Sequence, residues 1–314
     1  MNIFISGSMA YDRIMDFPGR FSDHIMPDKI HMLNVCFTVN GMAEKLGGTA
    51  GNIAYTLALL GETPTLIAAI GKDYATYFSW LRSHGISTDS LTIVQEEFTA
   101  GAYITTDQAD NQITGFNPGA MKHRARFDFF TATADTAIGI IAAGNLADMA
   151  AHAEVYRSKG VPFICDPGQS LTAWDGDALR KWIAGCTILI TNDYELELIM
   201  KMTGMPRISI LEAVDTLITT LGEKGSVIAT KSGETHIPAA DVNKVLDPTG
   251  AGDAYRAGLM KGIILQRPLS VAGRMGAVAA AYAIEQYGTQ EHRFTWDEFD
   301  ARFKQNFGEP IANR

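Results

Sequence analysis

The sequence predicts an α/β fold: a doubly wound, mainly parallel central sheet flanked by helices on both faces. From about residue 60 onwards, short apolar runs alternate with longer helical patterns, which is typical of βαβ units. The length of 314 residues fits one large α/β domain with an appendage as easily as two domains, and a single domain over residues 1–314 is our prediction. A content of 46% hydrophobic and 19% charged residues is that of a globular protein.

Charge and composition exclude several classes of function. A net charge of −9 argues against nucleic acid as a partner, but not against ATP, because local N–H groups and metal ions can hold a small anion. No apolar run approaches the roughly 18 residues of a membrane helix, and Asp12 and Arg13 interrupt the N-terminal apolar stretch. Three cysteines and seven histidines show no metal spacing. We therefore expect a cytoplasmic protein that needs no membrane.

The regular elements follow from apolar periodicity and from glycine or proline breaks. Strands are predicted at residues 2–6, 65–70, 161–166, 188–191 and 227–230. Helices are predicted at residues 49–60, 74–84, 146–159 and 209–221. Two segments differ from this rhythm and indicate antiparallel strands, namely residues 30–39 and the strand, polar turn and strand of residues 101–116. They form either a lid over a cleft or a hairpin at the edge of the sheet.

The most informative segment runs from Asp247 to Tyr255 and reads Asp-Pro-Thr-Gly-Ala-Gly-Asp-Ala-Tyr. A glycine turn that leads into a helix directs unpaired N–H groups and the positive end of the helix dipole at one point, which suits a phosphate. A carboxylate at that point, Asp253, suits a group that must lose a proton beside the anion. The alternative is that Asp253 only caps the helix.

Two common nucleotide-binding loops do not fit this segment. No Gly-x4-Gly-Lys-Ser/Thr string occurs in the chain, so a P-loop is excluded. Gly250 and Gly252 supply two glycines of a dinucleotide fingerprint, but Tyr255 stands where the third is required. The sequence therefore disfavours a dehydrogenase.

Four motifs in order resemble the ribokinase-like (PfkB) family of carbohydrate and nucleoside kinases. The segment 247–258 resembles the C-terminal signature of that family and is most similar to its adenosine kinase branch. Leu46-Gly-Gly-Thr-Ala-Gly-Asn52 resembles the N-terminal signature, and Asn192-x-x-Glu195 and the segment 220–225 resemble two further motifs. The resemblance implies ATP-dependent phosphoryl transfer and a small β-sheet lid, built from about residues 13–45 and 97–118.

The resemblance also implies catalytic roles for the glycine turn. Asp253 would act as the general base toward a substrate hydroxyl, and the amides of Gly250, Ala251, Gly252 and Asp253 would form an anion hole. An aspartate with an ordinary pKa of about 4 is a weak base, so we expect proton transfer to come late in the reaction.

On the acceptor side, the resemblance implies that Gly47 and Gly48 let a sugar ring lie against the main chain. Asn52 would bind a hydroxyl, and Asp12, placed by the sequence at the end of the first strand, would accept hydrogen bonds from two neighbouring hydroxyls. Read without the resemblance, the same residues are a tight turn, a helix start and a solvated aspartate.

On the ATP side, the resemblance implies that Asn192 and Glu195 orient the phosphates, with Glu195 holding Mg²⁺ through water. The same pair also fits a capping box, and both interpretations can hold together. The small residues Thr220, Gly222 and Gly225 would let the main chain approach the nucleotide. Two further residues, Asp247 and Thr249, match positions that bind a monovalent cation, usually K⁺.

The class of acceptor is predicted in part from Ala10, because sugar-specific members of the family that the chain resembles usually carry an asparagine at this position. A nucleoside base needs apolar cover, which Phe37 and Phe116 could supply together with Met121. We predict phosphorylation of a nucleoside 5′-hydroxyl, with adenosine first and inosine or guanosine next. The alternatives are a sugar kinase acting on ribose, fructose or a related sugar, and a silent nucleotide-binding protein. Both a monomer and a homodimer are consistent with the sequence.

Overall fold

The computed structural model describes residues 1–109 and 111–311. In chain order its strands are β1 (Asn2–Ser6), β2 (Ala10–Asp16), β3 (Met42–Gly47), β4 (Thr65–Ile67), β5 (Ala69–Gly71), β6 (Thr92–Val94), β7 (Ala100–Thr106), β8 (Gln112–Asn117), β9 (Ala137–Ile141), β10 (Phe163–Cys165), β11 (Ile188–Asn192), β12 (Thr216–Thr220), β13 (Ser226–Thr230) and β14 (Gly233–Ile237). Its α-helices are α1 (Thr49–Leu59), α2 (Ala75–Ser83), α3 (Leu146–Lys159), α4 (Gly176–Ile183), α5 (Asp193–Thr203), α6 (Arg207–Ala213), α7 (Ala251–Ile264), α8 (Leu269–Ile284) and α9 (Trp296–Phe307).

The central sheet confirms the predicted fold class. Its eight strands lie in the order β14-β13-β12-β11-β10-β9-β1-β4. All neighbours from β4 to β12 are parallel, whereas β13 and β14 are antiparallel. The strand predicted at residues 227–230 is therefore present but runs antiparallel to β12, because a short turn joins the two.

The strands of this sheet are apolar on both faces, and helices cover each face. Ile3 and Ile5 of β1 belong to a core that also contains side chains of α1, α2 and α7. Phe4, between them, points to the opposite core, which contains side chains of α3, α4 and α5. Burial on both faces is the reason that the parallel strands appear in the sequence as short, nearly continuous apolar runs.

A separate four-stranded sheet has the order β3-β2-β7-β8. The predicted antiparallel pair within residues 101–116 is confirmed as β7 and β8. Asp12, expected at the end of the first strand, instead lies within β2 of this small sheet, opposite Lys45. The chain turns after β1 at Gly7, so that the polar residues that follow enter a new strand.

The strand predicted at residues 30–39 is wrong. Residues 27–32 form 3-10 turns, and residues 33–40 have no regular structure. Within residues 1–109 and 111–311, these alternating apolar residues take part in no strand pairing. Instead, the ring of Phe37 packs 4.7 Å from that of Phe17 and 5.0 Å from that of Phe21.

Two other predicted elements need correction. The strand expected at residues 65–70 divides at Ala68, because β4 pairs with β1 whereas β5 pairs with β6 in a two-stranded sheet. The helix expected at residues 209–221 ends at Ala213, and Val214 is already extended. The segment Thr216–Thr220 is β12, which its β-branched residues favour and which pairing with β11 stabilises.

Several predicted elements are confirmed, namely β1, α1, α2 and α3. None of the helices in the described parts of the chain has the length and apolar character that crossing a bilayer requires. The carboxyl ends of the parallel strands meet along one edge of the sheet, where Asn192 pairs in register with Thr220. Asp166 follows β10 at the same edge, so polar side chains converge there.

Candidate active site

The turn before α7 is formed by residues 247–250. Gly250 has φ 78° and ψ −1°, a left-handed conformation that glycine adopts without steric cost. A Cβ at this position would lie 2.9 Å from Cγ2 of Thr289, so the turn has no room for a larger residue. Both properties explain a glycine at this point of the sequence.

Amides at the start of α7 remain available. Within residues 1–109 and 111–311, the amides of Gly250, Gly252 and Asp253 have no hydrogen-bond acceptor, and that of Ala251 donates only a long bond of 3.3 Å to the oxygen of Pro248. Unpaired amides are expected in the first turn of a helix, where the dipole adds positive potential. The turn therefore has the properties of an anion-binding position.

Asp253 lies in the first turn of α7 and is half-buried. Its Oδ2 accepts a hydrogen bond of 2.8 Å from Nδ2 of Asn52. Burial raises the pKa of Asp253 to about 7, against the lowering effects of Arg256 and of the Asn52 bond. The expectation of an ordinary pKa of about 4 was therefore wrong, because the sequence does not reveal how far a carboxylate is removed from water.

A buried ion pair lies behind the turn. The guanidinium of Arg256 donates from Nη2 to Oδ1 of Asp166 at 2.6 Å, and its Nε also contacts Oδ2. A Cβ on Gly252 would lie 2.7 Å from Nη1 of Arg256. The cation is thus placed directly beneath the glycine turn, where it adds positive potential to that of the amides.

Gly47 and Gly48 connect the small sheet to α1. A Cβ on Gly47 would lie 2.8 Å from Oδ2 of Asp12, so the carboxylate rests against the main chain of the glycine. Gly48 has φ 90°, and a Cβ there would lie 2.6 Å from the oxygen of Ser8. The pKa of Asp12 is raised by burial and by the charge of Asp247, which brings the predicted diol-binding residue close to the turn before α7.

Asn52 lies on α1 and is buried. Its Oδ1 and one hydrogen of its Nδ2 are engaged within the fold, whereas the amide carries a second N–H, so binding of a substrate hydroxyl by Asn52 stays a prediction. The Nδ2 atom donates to Asp253, and Oδ1 accepts from Oγ1 of Thr289 at 2.7 Å and from Nε2 of Gln290 at 3.0 Å. Asn52 nevertheless lies beside Asp253, as we expect of a residue in the acceptor site.

Asn192 and Glu195 form the capping box of α5. The Oδ1 atom of Asn192 accepts from the amide of Glu195 at 2.7 Å, and Oε2 of Glu195 accepts from the amide of Asn192 at 2.9 Å. The structural interpretation of this motif is therefore confirmed, and its role toward phosphates stays a prediction. Burial raises the pKa of Glu195, and the charges of Asp166 and Arg256 act on the same carboxylate.

The side chains near Glu195 fit a magnesium ion that is bound through water. The negative charges of Asp166 and Glu195 raise the pKa of Asp253, that of Asp166 also raises the pKa of Glu195, and the guanidinium of Arg256 acts in the opposite direction on both. In the described part of the chain, no group of three or more His, Cys, Asp or Glu side chains could hold a metal directly. Mg²⁺ keeps several waters and uses phosphate oxygens, so it does not need such a group.

The predicted nucleotide loop follows β12. Thr220 ends that strand, and its hydroxyl donates to the oxygen of Thr191 at 3.3 Å. Gly222 and Gly225 have φ values of 57° and 82°, and a Cβ on Gly225 would meet the oxygen of Ile237 at 2.0 Å. The glycines are thus required by the turn itself, and their contact with a nucleotide stays a prediction.

Asp247 ties the glycine turn to the segment after α8. Its Oδ1 accepts from the amide of Thr249 at 2.9 Å and its Oδ2 from the amide of Gly288 at 3.0 Å. Each carboxylate oxygen retains a lone pair, so the donor set has the oxygen chemistry that K⁺ uses. Binding of K⁺ by Asp247 and Thr249 stays a prediction.

The two predicted aromatic residues are not brought together. Phe37 packs in a cluster with Phe17, Phe21 and His24. Phe116 lies on β8 opposite Ala102 and is 55% exposed. Phe116 would cover a nucleoside base only if the base bound directly against this exposed ring.

Sequence reasoning missed four residues that surround Asp253. Asp166 could have been found, because it ends a predicted parallel strand at the edge where ligands bind. Arg256 lies three positions after Asp253 and therefore on the same side of α7. Thr289 and Gln290 lie in the connection between α8 and α9, where no pattern in the sequence marks them.

Comparisons with known proteins identify the family of this chain. Residues 11–295 match the model of the pfkB family carbohydrate kinases. A nucleoside kinase of Methanocaldococcus jannaschii is 33% identical over 276 residues, which cover 87% of this chain and 90% of the relative. The structure of a Burkholderia thailandensis nucleoside kinase in complex with inosine has a TM-score of 0.84 and 37% identity, and covers 98% of this chain and 99% of that one. A complex of that enzyme described as ADP-inosine has a TM-score of 0.81 and 39% identity, with 98% and 97% coverage.

Proposed function

Because the chain belongs to the pfkB family of carbohydrate kinases, we propose that it transfers a phosphoryl group from ATP to the 5′-hydroxyl of a nucleoside. One observation carries the proposal: a carboxylate with a raised pKa, Asp253, lies in the same helix turn as unpaired main-chain amides. Phosphoryl transfer requires a base at the attacking oxygen and positive potential at the transferred group, and this turn combines them.

Asp253 is the proposed general base. A pKa of about 7 makes it a stronger base than an ordinary aspartate while leaving much of it ionised near neutral pH. The proton of the acceptor hydroxyl passes to its carboxylate as the oxygen attacks. The amides of Gly250, Ala251, Gly252 and Asp253 form the proposed anion hole, where loss of one donor typically costs about 3–4 kcal/mol.

The proposed acceptor site lies between the two sheets. Asp12 would accept hydrogen bonds from a vicinal diol beside Gly47 and Gly48. The close approach of the Asp12 carboxylate to the main chain of Gly47 supports this, since a side chain there would displace it. Phe37 and Phe116 remain the proposed cover for the base, and residues 13–45 and 97–118, which contain much of the small sheet, are the proposed lid of a single domain.

The proposed ATP side consists of Asn192, Glu195, Thr220, Gly222 and Gly225. When bound, Mg²⁺ would neutralise phosphate charge, and Glu195 would hold it through water. The carboxylate-rich surroundings of Glu195 support this choice. K⁺ at Asp247 and Thr249 is a further proposal.

A nucleoside is favoured over a free sugar by two independent arguments. Ala10 offers no hydrogen bond where sugar-specific relatives usually carry an asparagine. The relatives with 33–39% identity are described as nucleoside kinases, and inosine is bound in one of their structures. Adenosine stays our first predicted acceptor and inosine the second. A cytoplasmic location and a monomer or homodimer stay predictions.

The test is ADP release in the presence of Mg²⁺ and a panel of acceptors: adenosine, inosine, guanosine, ribose and fructose. We expect turnover with at least one purine nucleoside and little with either sugar. Turnover of ribose or fructose without any nucleoside would replace our proposal with the sugar kinase alternative. No ADP release with any acceptor, despite ATP binding, would favour the silent binding protein.

A further inference from the structure

A chain of hydrogen bonds leads from the indole of Trp80 to the carboxylate of Asp253. The Nε1 atom of Trp80 donates to Oε1 of Gln290 at 3.0 Å. An indole N–H can only donate, so it selects the orientation in which the oxygen of Gln290 faces Trp80. The amide nitrogen of Gln290 must then point to the opposite side, toward α1.

The nitrogen of Gln290 has two acceptors on that side. It donates to Oδ1 of Asn52 at 3.0 Å and to the hydroxyl of Tyr77 at 2.6 Å. The hydroxyl of Tyr77 in turn donates to the oxygen of Gly47 at 2.7 Å, which leaves it as an acceptor toward Gln290. Every polar atom of the Gln290 side chain is therefore used in one orientation only.

The orientation of Gln290 determines that of Asn52. Because Oδ1 of Asn52 faces a donor, its Nδ2 points the other way and donates to Oδ2 of Asp253 at 2.8 Å. Thr289 does not decide this orientation, since its hydroxyl can donate to the oxygen of Leu46 at 2.9 Å and accept from an inverted Asn52. Among the described neighbours of Asn52 other than the carboxylate of Asp253 itself, Gln290 is the one that discriminates between the two amide orientations whatever the protonation of Asp253.

We propose that Gln290 is a positioning residue for the reaction: held by Trp80, it fixes the amide of Asn52 so that an N–H always faces the carboxylate of Asp253. Asn52 is 5% and Gln290 3% exposed, so water has little access to replace these bonds. This inference rests on the proposed role of Asp253 as the general base.

The arrangement favours the ionised form of Asp253, which is the form that accepts a proton. An N–H donor stabilises a carboxylate, whereas an inverted Asn52 would present an oxygen and stabilise the protonated acid instead. The other charged and titratable groups that act on Asp253 are Arg256 from its own helix, Asp166 after β10 and Glu195 on α5. Tyr77 on α2 also lies within the range of its charge. Gln290 carries no charge, so its effect depends on orientation alone.

The experiment compares the Gln290→Met and Trp80→Phe variants with the wild type. Methionine has a similar shape without a donor, and phenylalanine keeps an aromatic ring, although a smaller one, but lacks the N–H. Two quantities are measured for each protein: the pKa of Asp253, from an infrared titration of its carboxyl signal identified with Asp253→Asn, and the acidic limb of kcat/KM. We expect both variants to raise the two values together by about half a unit, which is a threefold change in proton affinity.

The matched control is Tyr55→Phe. The hydroxyl of Tyr55 donates to the oxygen of His292 at 2.7 Å, and its ring stacks on Trp80 at 5.9 Å. This variant removes a buried hydrogen bond next to the series of bonds from Trp80 to Asp253 but leaves that series intact. It should therefore leave both the carboxyl titration and the acidic limb of kcat/KM unchanged. The double variant Gln290→Met/Trp80→Phe should show no larger shift than Gln290→Met alone, because Trp80 acts only through Gln290.

The outcomes separate the inference from the proposed function. An unchanged carboxyl titration in both variants, or an equal shift in Tyr55→Phe, overturns the inference. A shifted titration in a protein that phosphorylates no acceptor supports the positioning chain and refutes the proposed kinase activity. If Gln290→Met fails to fold, the milder Trp80→Phe variant decides the question by the same two measurements.

Discussion

Arg256 and Asp166 form an ion pair that is almost entirely excluded from solvent, with exposures of 6% and 2%, directly behind the glycine turn of α7. The two residues are 90 positions apart, so the pair links α7 to the carboxyl end of β10. Its cation lies against Gly252, and its anion is near Asp253 and Glu195. The pair thus contributes both to the fold and to the potential of the site.

Breaking this pair should destabilise the protein strongly. In Arg256→Met, the carboxylate of Asp166 is left buried without its partner, for which a loss of about 3–5 kcal/mol in the free energy of unfolding is typical. Arg256→Met/Asp166→Asn removes both charges and should recover much of that loss. Urea unfolding of the three proteins measures the effect. A double variant no more stable than Arg256→Met would contradict this account.

Replacing the proposed base should remove turnover without removing nucleotide binding. In Asp253→Asn the side chain keeps its size but cannot accept the proton, and general-base catalysis typically contributes about 10²–10⁴-fold. We expect kcat to fall by that order while the affinity for ADP, measured by calorimetry, stays within a few-fold of wild type. A variant that retains turnover within about tenfold of wild type refutes the assignment of Asp253 as base.

The same substitution should stabilise the fold at neutral pH but not in acid. The pKa of Asp253 is about 7 in the folded protein and near its ordinary value of 3.8 when unfolded. As pH rises from 4 to 7, the unfolded chain therefore releases a proton that the folded protein retains, and stability is lost over this range. Asp253→Asn abolishes this loss. The difference in melting temperature between this variant and the wild type, measured by calorimetry, should therefore increase by a few degrees between pH 4 and pH 8. A constant difference across this range would show that burial does not raise the pKa of Asp253.

Gly48 should tolerate alanine less well than Gly61, although both have positive φ values, of 90° and 81°. An alanine Cβ at residue 48 would lie 2.6 Å from the oxygen of Ser8, whereas at residue 61 no atom of the described residues, apart from the two neighbours in the chain, is within 4 Å. Both substitutions incur a conformational cost of about 1–2 kcal/mol, and Gly48→Ala must also displace the main chain. Thermal melts of the two variants test this. Equal losses of stability would mean that the main chain at Ser8 moves away from the new Cβ without an energetic cost.

Local patterns predicted most of the fold. The helices α1, α2 and α3 have clear periodicity and breaks, and β7 and β8 flank an evident polar turn. The errors occurred where partners decide the structure. Residues 216–220 could continue a helix but become a strand because β11 offers a parallel edge, and residues 30–39 alternate in polarity yet form no strand pairing with any described part of the chain.

By itself, the sequence determined the chemical groups of the site and the glycines that shape its turns, because contiguous motifs encode them within a few residues. Tertiary structure alone decided that Asn52 meets Asp253 across 201 positions and that Gln290 orients Asn52 across 238. It also decided the protonation of Asp253, since a pKa depends on the water removed and the charges brought near by distant segments. Such effects arise from many non-local contacts, none of which leaves a periodic or local pattern in the chain.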